Sequence, residues 1–83
     1  MQIEVLDVVI YKDERYLVHG VLRKCPEDPI YHRLEDEFSL VNLNTFKSTA
    51  WIKESKIKEN LNQIRFKELR KVLKIMKLMK NIY

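Results

Sequence analysis

The chain has 83 residues, of which 46% are hydrophobic and 34% are charged, with one glycine, two prolines and one cysteine. This length suffices for one small domain, and the low glycine and proline content excludes collagen-like and low-complexity sequences. No segment contains the roughly 20 apolar residues needed to cross a bilayer. The lone Cys25 excludes an intrachain disulfide, and the acidic N-terminus is unlike a secretory signal, so we expect a cytoplasmic protein.

The net charge of +4 is divided unevenly along the chain. Residues 1–50 hold six Lys/Arg against nine Asp/Glu, a net −3, whereas residues 51–83 hold ten against three, a net +7. Such a split often marks a basic segment that binds nucleic acid, a membrane or an acidic partner. The alternative is that the basic part folds back onto the acidic part of its own chain.

The first 24 residues predict a β-hairpin. Residues 3–11, IEVLDVVIY, and the run YLVHGVLRK that follows KDER are rich in β-branched and aromatic types, as strands are. Asp13 is suited to a turn position of positive φ. Gly20 within the second run indicates a bulge or a bend in that strand.

The middle of the chain predicts a loop and two further strands. Residues 25–37, CPEDPIYHRLEDE, predict a loop, because Pro26 and Pro29 cannot serve a central strand. The runs EFSLVNL and STAWIKE predict strands joined by a turn at residues 44–47. The following SKIKE predicts one helical turn or a short fifth strand.

The C-terminal segment predicts a long amphipathic helix. Asn60 and Gln63 have the spacing of a capping box, and strong helix formers without Pro or Gly run from Leu61 to about Ile82. At about 100° per residue, the apolar side chains surround Val72 and the lysines lie opposite. In the second half the apolar arc covers roughly 200°, wider than the stripe of an ordinary surface helix. We therefore expect its end to contact another molecule; the alternative is that the domain core buries the whole arc.

The pattern DVVIYKDERYLV, a loop, and then FSLVNLNTFKSTAWIKESKI resembles the small SH3-like barrels of bacterial and phage proteins. In those barrels a hairpin ending in a Trp-containing strand and a short helical turn closes the fold. The resemblance implies an α+β fold, in which an antiparallel barrel of four or five strands spans residues 1–59. The amphipathic helix, residues 60–83, then packs on the barrel or extends from it within one domain. Asp13 and Glu14 stand where the tight turn usually favours Gly. SH3-like barrels serve many functions, so the resemblance implies a binding module.

The residue pattern predicts neither catalysis nor a metal site. His19, Cys25 and His32 are the candidate soft ligands, but they lack the short spacing of a zinc site. Nothing specifies a base and an orienting group for a Cys–His nucleophile, and phosphate-binding glycine loops are missing. We expect no enzymatic activity, no cofactor and no small-molecule substrate.

We expect a regulatory or inhibitory factor of a bacterium, phage or mobile element that binds another protein or a second copy of itself. The apolar and aromatic side chains proposed as contacts are Tyr31, Phe46, Trp51, Ile75, Met76, Met79 and Tyr83. Trp51 is equally a candidate for the core. The acidic loop, residues 27–37, is a further candidate surface, although a solvated loop is the plainer interpretation.

Nucleic acid is the alternative partner. A cationic stripe suited to phosphates runs along the helix and comprises Lys67, Arg70, Lys71, Lys74 and Lys77. The negative charge of residues 1–50 opposes this interpretation, as does the scarcity of arginine for base-specific contacts. Membrane-surface binding would use the same helix, but the second half of its apolar face has no Trp or Phe, so we expect no membrane role.

Overall fold

The computed structural model describes residues 2–30, 32–61 and 69–80, and the structural statements below concern this part of the chain. Its elements confirm an α+β fold with five strands and a C-terminal helix. The strands are β1 (Val8–Tyr11), β2 (Glu14–Leu22), β3 (Glu37–Asn42), β4 (Ser48–Lys53) and β5 (Glu59–Asn60). A 3₁₀ turn, Glu54–Lys56, lies between β4 and β5, and the helix α1 is Leu69–Lys80.

The five strands form one antiparallel sheet in the order β4-β3-β2-β1-β5. The predicted closed barrel is wrong, because β4 and β5 lie at opposite edges and do not pair with each other. A barrel closes only when its first and last strands are hydrogen-bonded. The last strand pairs with Val9 and Ile10 of β1, and β4 has only β3 as a partner among the described strands, so the sheet stays open beside β4.

The first hairpin has a two-residue turn. Tyr11 pairs with Glu14, and Lys12 and Asp13 between them have φ values of 50° and 62°. Positive φ at both central positions is the pattern of a type I′ turn, whose twist matches that of the flanking strands. The predicted positive φ at Asp13 is confirmed, but the tight turn lies one residue earlier than expected.

The predicted irregularity at Gly20 is also confirmed. The pairing of β2 with β3 shifts register between Val18 and Gly20, which marks a bulge. Gly20 then pairs with Ser39, which in turn pairs with Trp51 of β4. A Cβ at Gly20 would lie 3.2 Å from Cη2 of Trp51, so the missing side chain makes room for the indole ring.

Each face of the sheet carries its own apolar cluster, because neighbouring residues of a strand point to opposite faces. Val8 and Leu17 lie in one cluster, and the adjacent Val9 and Val18 lie in the other. The first cluster contains Ile3, Val9, Tyr16, Val18, Phe38 and Leu40. The second contains Val8, Leu17, Val41 and Leu43 together with Val72 and Ile75 of α1. The helix therefore covers one face of the sheet.

The turn between β3 and β4 lies where the sequence predicts it. The backbone N–H of Phe46 donates to the carbonyl of Asn42 at 2.9 Å, and the N–H of Asn42 donates to the carbonyl of Lys47 at 2.9 Å. The Asn42 side-chain oxygen accepts from the N–H of Asn44 at 2.7 Å and of Thr45 at 3.0 Å. This buried asparagine thus organises the whole turn.

Asn60, the first residue of the predicted capping box, belongs to β5. Asn60 is buried in β5, and its Nδ2 donates to Oδ2 of Asp7 at 3.1 Å. The N–H of Leu61 donates to the carbonyl of Val8 at 2.8 Å. Asn60 is therefore a strand residue that pairs with Val9 of β1. Gln63 lies outside the described residues.

Candidate functional site

The predicted contacts on α1 divide into buried and exposed side chains. Val72 and Ile75 are buried against the sheet, whereas Leu73, Met76 and Leu78 are exposed. Because Ile75 is part of the core, we leave it out of the partner surface. Tyr31 and Tyr83 lie outside the described residues, and so does the side chain of Met79.

The cationic stripe lies on the exposed side of α1. Arg70, Lys71, Lys74 and Lys77 are all exposed, and Lys67 lies outside the described residues. Nζ of Lys71 lies 3.3 Å from Oδ1 of Asn44, and Nζ of Lys74 lies 4.9 Å from the ring centroid of Phe46. Two members of the stripe thus contact the β3–β4 turn of their own chain, and the half-buried Phe46 is partly covered.

The segment between β2 and β3 is closed by backbone hydrogen bonds, and we name its described residues, 25–30 and 32–34, the braced loop. Cys25 and Arg33 exchange two backbone bonds, N–H of Cys25 to the carbonyl of Arg33 at 2.8 Å and the reverse at 3.2 Å. Within the loop, the Asp28 carboxylate accepts from the N–H of Ile30 at 2.8 Å. The carbonyl of Asp28 accepts from the N–H of His32 at 3.0 Å. The braced loop is therefore held by its own backbone and does not rely on burial.

Two large apolar side chains project from the braced loop into solvent. Ile30 is 80% exposed and Leu34 is 70% exposed. A small domain usually places such side chains in its core, since exposing them forfeits the favourable transfer of apolar surface out of water. Neither residue was predicted as a contact, and the neighbouring Tyr31 was predicted instead. The stretch IYHRL lies beside two prolines and has no periodicity that would bury its apolar side chains, which was the available signal.

Ion pairs fix the base of the braced loop. The guanidinium of Arg23 bonds Oδ2 of Asp36 at 2.9 Å and Oε2 of Glu4 at 2.9 Å. The backbone N–H of Lys24 donates to Oδ1 of Asp36 at 2.7 Å. Desolvation of Asp36 opposes its ionisation, but the bonds from Lys24 and Arg23 outweigh it, so the pKa of Asp36 lies below its usual value.

The other acids after the loop are also engaged. Arg33 pairs with Glu37 at 3.2 Å and donates to the carbonyl of Arg23 at 3.1 Å. Oε1 of Glu35 accepts from the backbone N–H of Ser55 at 2.8 Å. Hydrogen bonds from the backbone and the hydroxyl of Ser55 lower the pKa of Glu35. The acids at residues 35–37, expected to form a solvated run, therefore attach the loop to the 3₁₀ turn and to Arg23 and Lys24, which follow β2.

The second candidate surface is a groove of about 730 Å³ beside the open edge of the sheet, which we name the β4 groove. It is lined by Tyr11, Lys12, Asp13, Trp51, Ile52, Lys53, Lys56 and Lys58. Trp51 is 46% exposed, so this predicted contact is available to a partner. Trp51 was predicted as a contact from the sequence, but the four lysines were not, because the β1–β2 turn and residues 53–58 meet only in the folded sheet.

The local charge around Trp51 is positive, whereas residues 1–50, which form most of the sheet, carry a net negative charge. The groove holds four lysines and Asp13, a net +3, although residues 1–50 carry a net −3. Much of the negative charge is engaged at the base of the braced loop instead, through Glu4, Asp36 and Glu37. The negative charge of residues 1–50, which opposed nucleic-acid binding in the sequence, is therefore not concentrated at the β4 groove.

The described ranges contain no group of three His, Cys, Asp or Glu side chains that could hold a metal ion. Within the same ranges no helix is long and apolar enough to span a membrane. Cys25 is a free, exposed thiol at the start of the braced loop. No protein-family model matches the chain, and no curated protein or solved structure shows significant similarity to it.

Proposed function

We propose that the protein is a small non-enzymatic binding module, a regulatory or inhibitory factor that contacts another protein through the braced loop. The observation that carries this function is the exposure of Ile30 and Leu34, at 80% and 70%, on a segment held by backbone hydrogen bonds. Burying two such side chains in a partner gains apolar transfer free energy. The ordered backbone reduces the entropy that must be lost on binding.

An SH3-like module of a bacterium, phage or mobile element, acting in the cytoplasm, is part of the same proposal. Three features support it: the strand order with β5 next to β1, the hairpin ending in the Trp-containing β4, and the 3₁₀ turn that follows. Folds of this kind serve many functions, so the braced loop, and not the fold, is the reason for proposing a protein partner.

The test compares capture by two variants with matched apolar losses. The loop variant combines Ile30→Ala with Leu34→Ala, and the control combines Leu73→Ala with Leu78→Ala at exposed positions of α1. Each purified protein is immobilised and exposed to lysate of the source cell, and recovered proteins are quantified by mass spectrometry. We expect one protein to be enriched by the wild type and by the control and to fall by about tenfold or more with the loop variant.

Circular dichroism and thermal unfolding establish that both variants fold. Equal recovery of every captured protein by the loop variant and the wild type would show that the braced loop does not bind the partner. If the captured protein is lost with the control variant and retained with the loop variant, the binding surface lies on α1 and not on the braced loop.

Nucleic-acid binding is the second candidate, supported by the four exposed cations of α1. Here affinity must fall steeply with salt, because phosphate contacts release counterions. Replacing Arg70 and Lys77 by Gln weakens binding to duplex and single-stranded DNA and reduces the slope of affinity against salt. Fluorescence anisotropy at several salt concentrations measures both quantities, and no binding at low salt would exclude this function.

A further inference from the structure

The β4 groove runs along the edge of a strand and not over its face. Three consecutive residues of β4, Trp51, Ile52 and Lys53, line it. Neighbouring side chains of a strand point to opposite faces, so a surface that touches all three includes the backbone edge between them. Across the groove lies the β1–β2 turn, with Lys12 and Asp13. The groove is thus the opening that remains because the sheet does not close.

The β4 edge has no neighbour among the described strands. β4 is the terminal strand of the sheet, and β3 is its one partner in the described ranges. An edge strand presents N–H and C=O groups outward, ready to pair with another chain. An extended peptide can add to such an edge, with backbone bonds supplying affinity and alternate side chains supplying specificity.

The positive charge of the β4 groove favours an acidic peptide segment over a basic one. All four lysines of the groove, Lys12, Lys53, Lys56 and Lys58, are exposed. Asp13 contacts Lys58 at 3.4 Å, but both side chains are largely exposed, so the pair contributes little and does not neutralise the site. A basic segment is repelled here, whereas carboxylates on an added strand lie within reach of several ammonium groups.

Trp51 supplies an apolar surface on the sheet face next to the β4 edge. Its ring lies against Gly20, where an added Cβ would approach Cη2 to 3.2 Å. The ring is positioned by this contact, while 46% of the residue stays exposed. A partner that covers Trp51 therefore gains apolar burial without having to order a free side chain.

We propose that the β4 groove binds an extended acidic segment of a partner protein, which adds to the sheet as a strand beside β4. Carboxylates of the segment pair with Lys12, Lys53, Lys56 and Lys58, and an apolar side chain contacts Trp51. The β4 groove shares no residue with the braced loop, so this is a second binding site.

The groove suits a peptide better than single-stranded nucleic acid. Nucleic-acid grooves combine positive charge with a row of aromatic rings on which successive bases stack. Here Tyr11 is half-buried and packs edge-on to Tyr16, with centroids 5.4 Å apart at 70°, which leaves Trp51 as the exposed ring of the groove. The backbone edge of β4 offers hydrogen bonds that match a peptide and not a phosphate chain.

Trp51 is the chain's single tryptophan, so intrinsic fluorescence reports directly on the groove. The full chain is titrated with a blocked peptide of alternating Glu and Val, up to millimolar concentration. The comparison peptides have Lys in place of each Glu, or Pro in place of each Val, and a short oligo(dT) tests nucleic acid. Proline keeps the charge of the peptide and removes alternate N–H donors.

We expect saturable change in Trp51 emission with the Glu-Val peptide, weakening at higher salt, and none with the Lys peptide. The Pro peptide should bind at least about tenfold more weakly. No saturable binding of the Glu-Val peptide, or equal binding of the Pro peptide, overturns strand addition. Tighter binding of oligo(dT) than of the Glu-Val peptide overturns the choice of a peptide ligand.

Charge-reversal variants locate the site. Lys53→Glu with Lys56→Glu should reduce affinity for the Glu-Val peptide by about tenfold or more, and Arg70→Glu with Lys77→Glu, the same change of net charge on α1, should leave it unaltered. An equal loss of affinity in the two variants would show that the peptide is attracted by net charge alone, which contradicts a site at β4. The Ile30→Ala, Leu34→Ala variant should bind the peptide normally, so failure of the loop's proposed function and failure of this site are distinguishable.

Discussion

The braced loop and the β4 groove use opposite arrangements of apolar and charged side chains. In the loop, apolar Ile30 and Leu34 are exposed, and the acids at its base are engaged with Arg23, Arg33 and backbone N–H groups. In the groove, the lysines are exposed and the apolar residues Tyr11 and Ile52 are partly buried. Ion pairs within the chain thus neutralise the acids around the loop and leave it an apolar surface, whereas the open edge of the sheet keeps a cationic surface.

The largest expected effect comes from damaging the scaffold that both regions share. Ile75→Ala removes a buried side chain of α1 from the cluster on one face of the sheet. We expect the free energy of unfolding to fall by about 2–4 kcal/mol, the usual cost of such a cavity. Leu73→Ala, at an exposed position of the same helix, should cost less than about 0.5 kcal/mol. Urea unfolding followed by circular dichroism measures both, and equal losses would contradict the packing of α1.

A smaller loss of stability is expected from a substitution that affects the braced loop and leaves the β4 groove unchanged. Asp36→Ala removes the acceptor of bonds from Lys24 and Arg23, which we expect to cost about 1–3 kcal/mol. Amide exchange within residues 25–34 should accelerate, while Trp51 emission stays the same. Glu27→Ala, at an exposed acid of the braced loop, is the control and should change neither quantity.

The pKa of Asp36 adds a pH dependence of known sign. Because its folded-state pKa is lowered, its contribution is fully present above the unfolded value, about 3.9. That contribution is lost as pH falls below this value toward the folded-state pKa. Wild-type stability should therefore drop more steeply in this acidic range than that of Asp36→Ala. Parallel curves for the two proteins in urea unfolding would show that the Asp36 bonds do not stabilise the fold.

The smallest expected effect on stability comes from a substitution that acts on the Trp51 ring. Gly20→Ala places a Cβ 3.2 Å from Trp51, so the exposed ring must shift by a few tenths of an ångström. We expect a stability change within about 1 kcal/mol and a red shift of Trp51 emission as the ring becomes more exposed. Ser39→Ala, at the neighbouring position of the same cross-strand row, is the control and should leave the emission near that of the wild type. Unchanged emission in Gly20→Ala would contradict the contact that positions the ring.

Features set by nearby residues were predictable from the sequence. The hairpin with positive φ at Asp13, the bulge at Gly20 and the turn after Asn42 each follow from residues adjacent in the chain. Turn and bulge preferences are local, because they depend on φ and on hydrogen bonds between close neighbours. SKIKE was predicted as a helical turn or a fifth strand, and the structure contains the 3₁₀ turn followed by β5.

Features set by distant pairing were not predictable. Asn60 pairs with Val9 and bonds Asp7, both more than 50 residues away in the chain, and the local helix-cap pattern around Asn60 gives no sign of these contacts. Closure of the barrel depends on whether the edge strands β4 and β5 pair with each other, which composition does not reveal. The lysines of the β4 groove come together for the same reason, since Lys12 and Lys56 meet only through the curvature of the sheet.

One apolar cluster lies on each face of the single sheet, and this arrangement determines which backbone amides are protected longest from exchange with water. β1 and β2 contribute neighbouring side chains to both clusters, so their peptide groups are shielded from water on two sides at once. Solvent cannot reach the centre of these strands by lifting α1 alone or by loosening the opposite layer alone. Their amide protons should consequently exchange only through global unfolding, which makes this hairpin the slowest-exchanging part of the molecule.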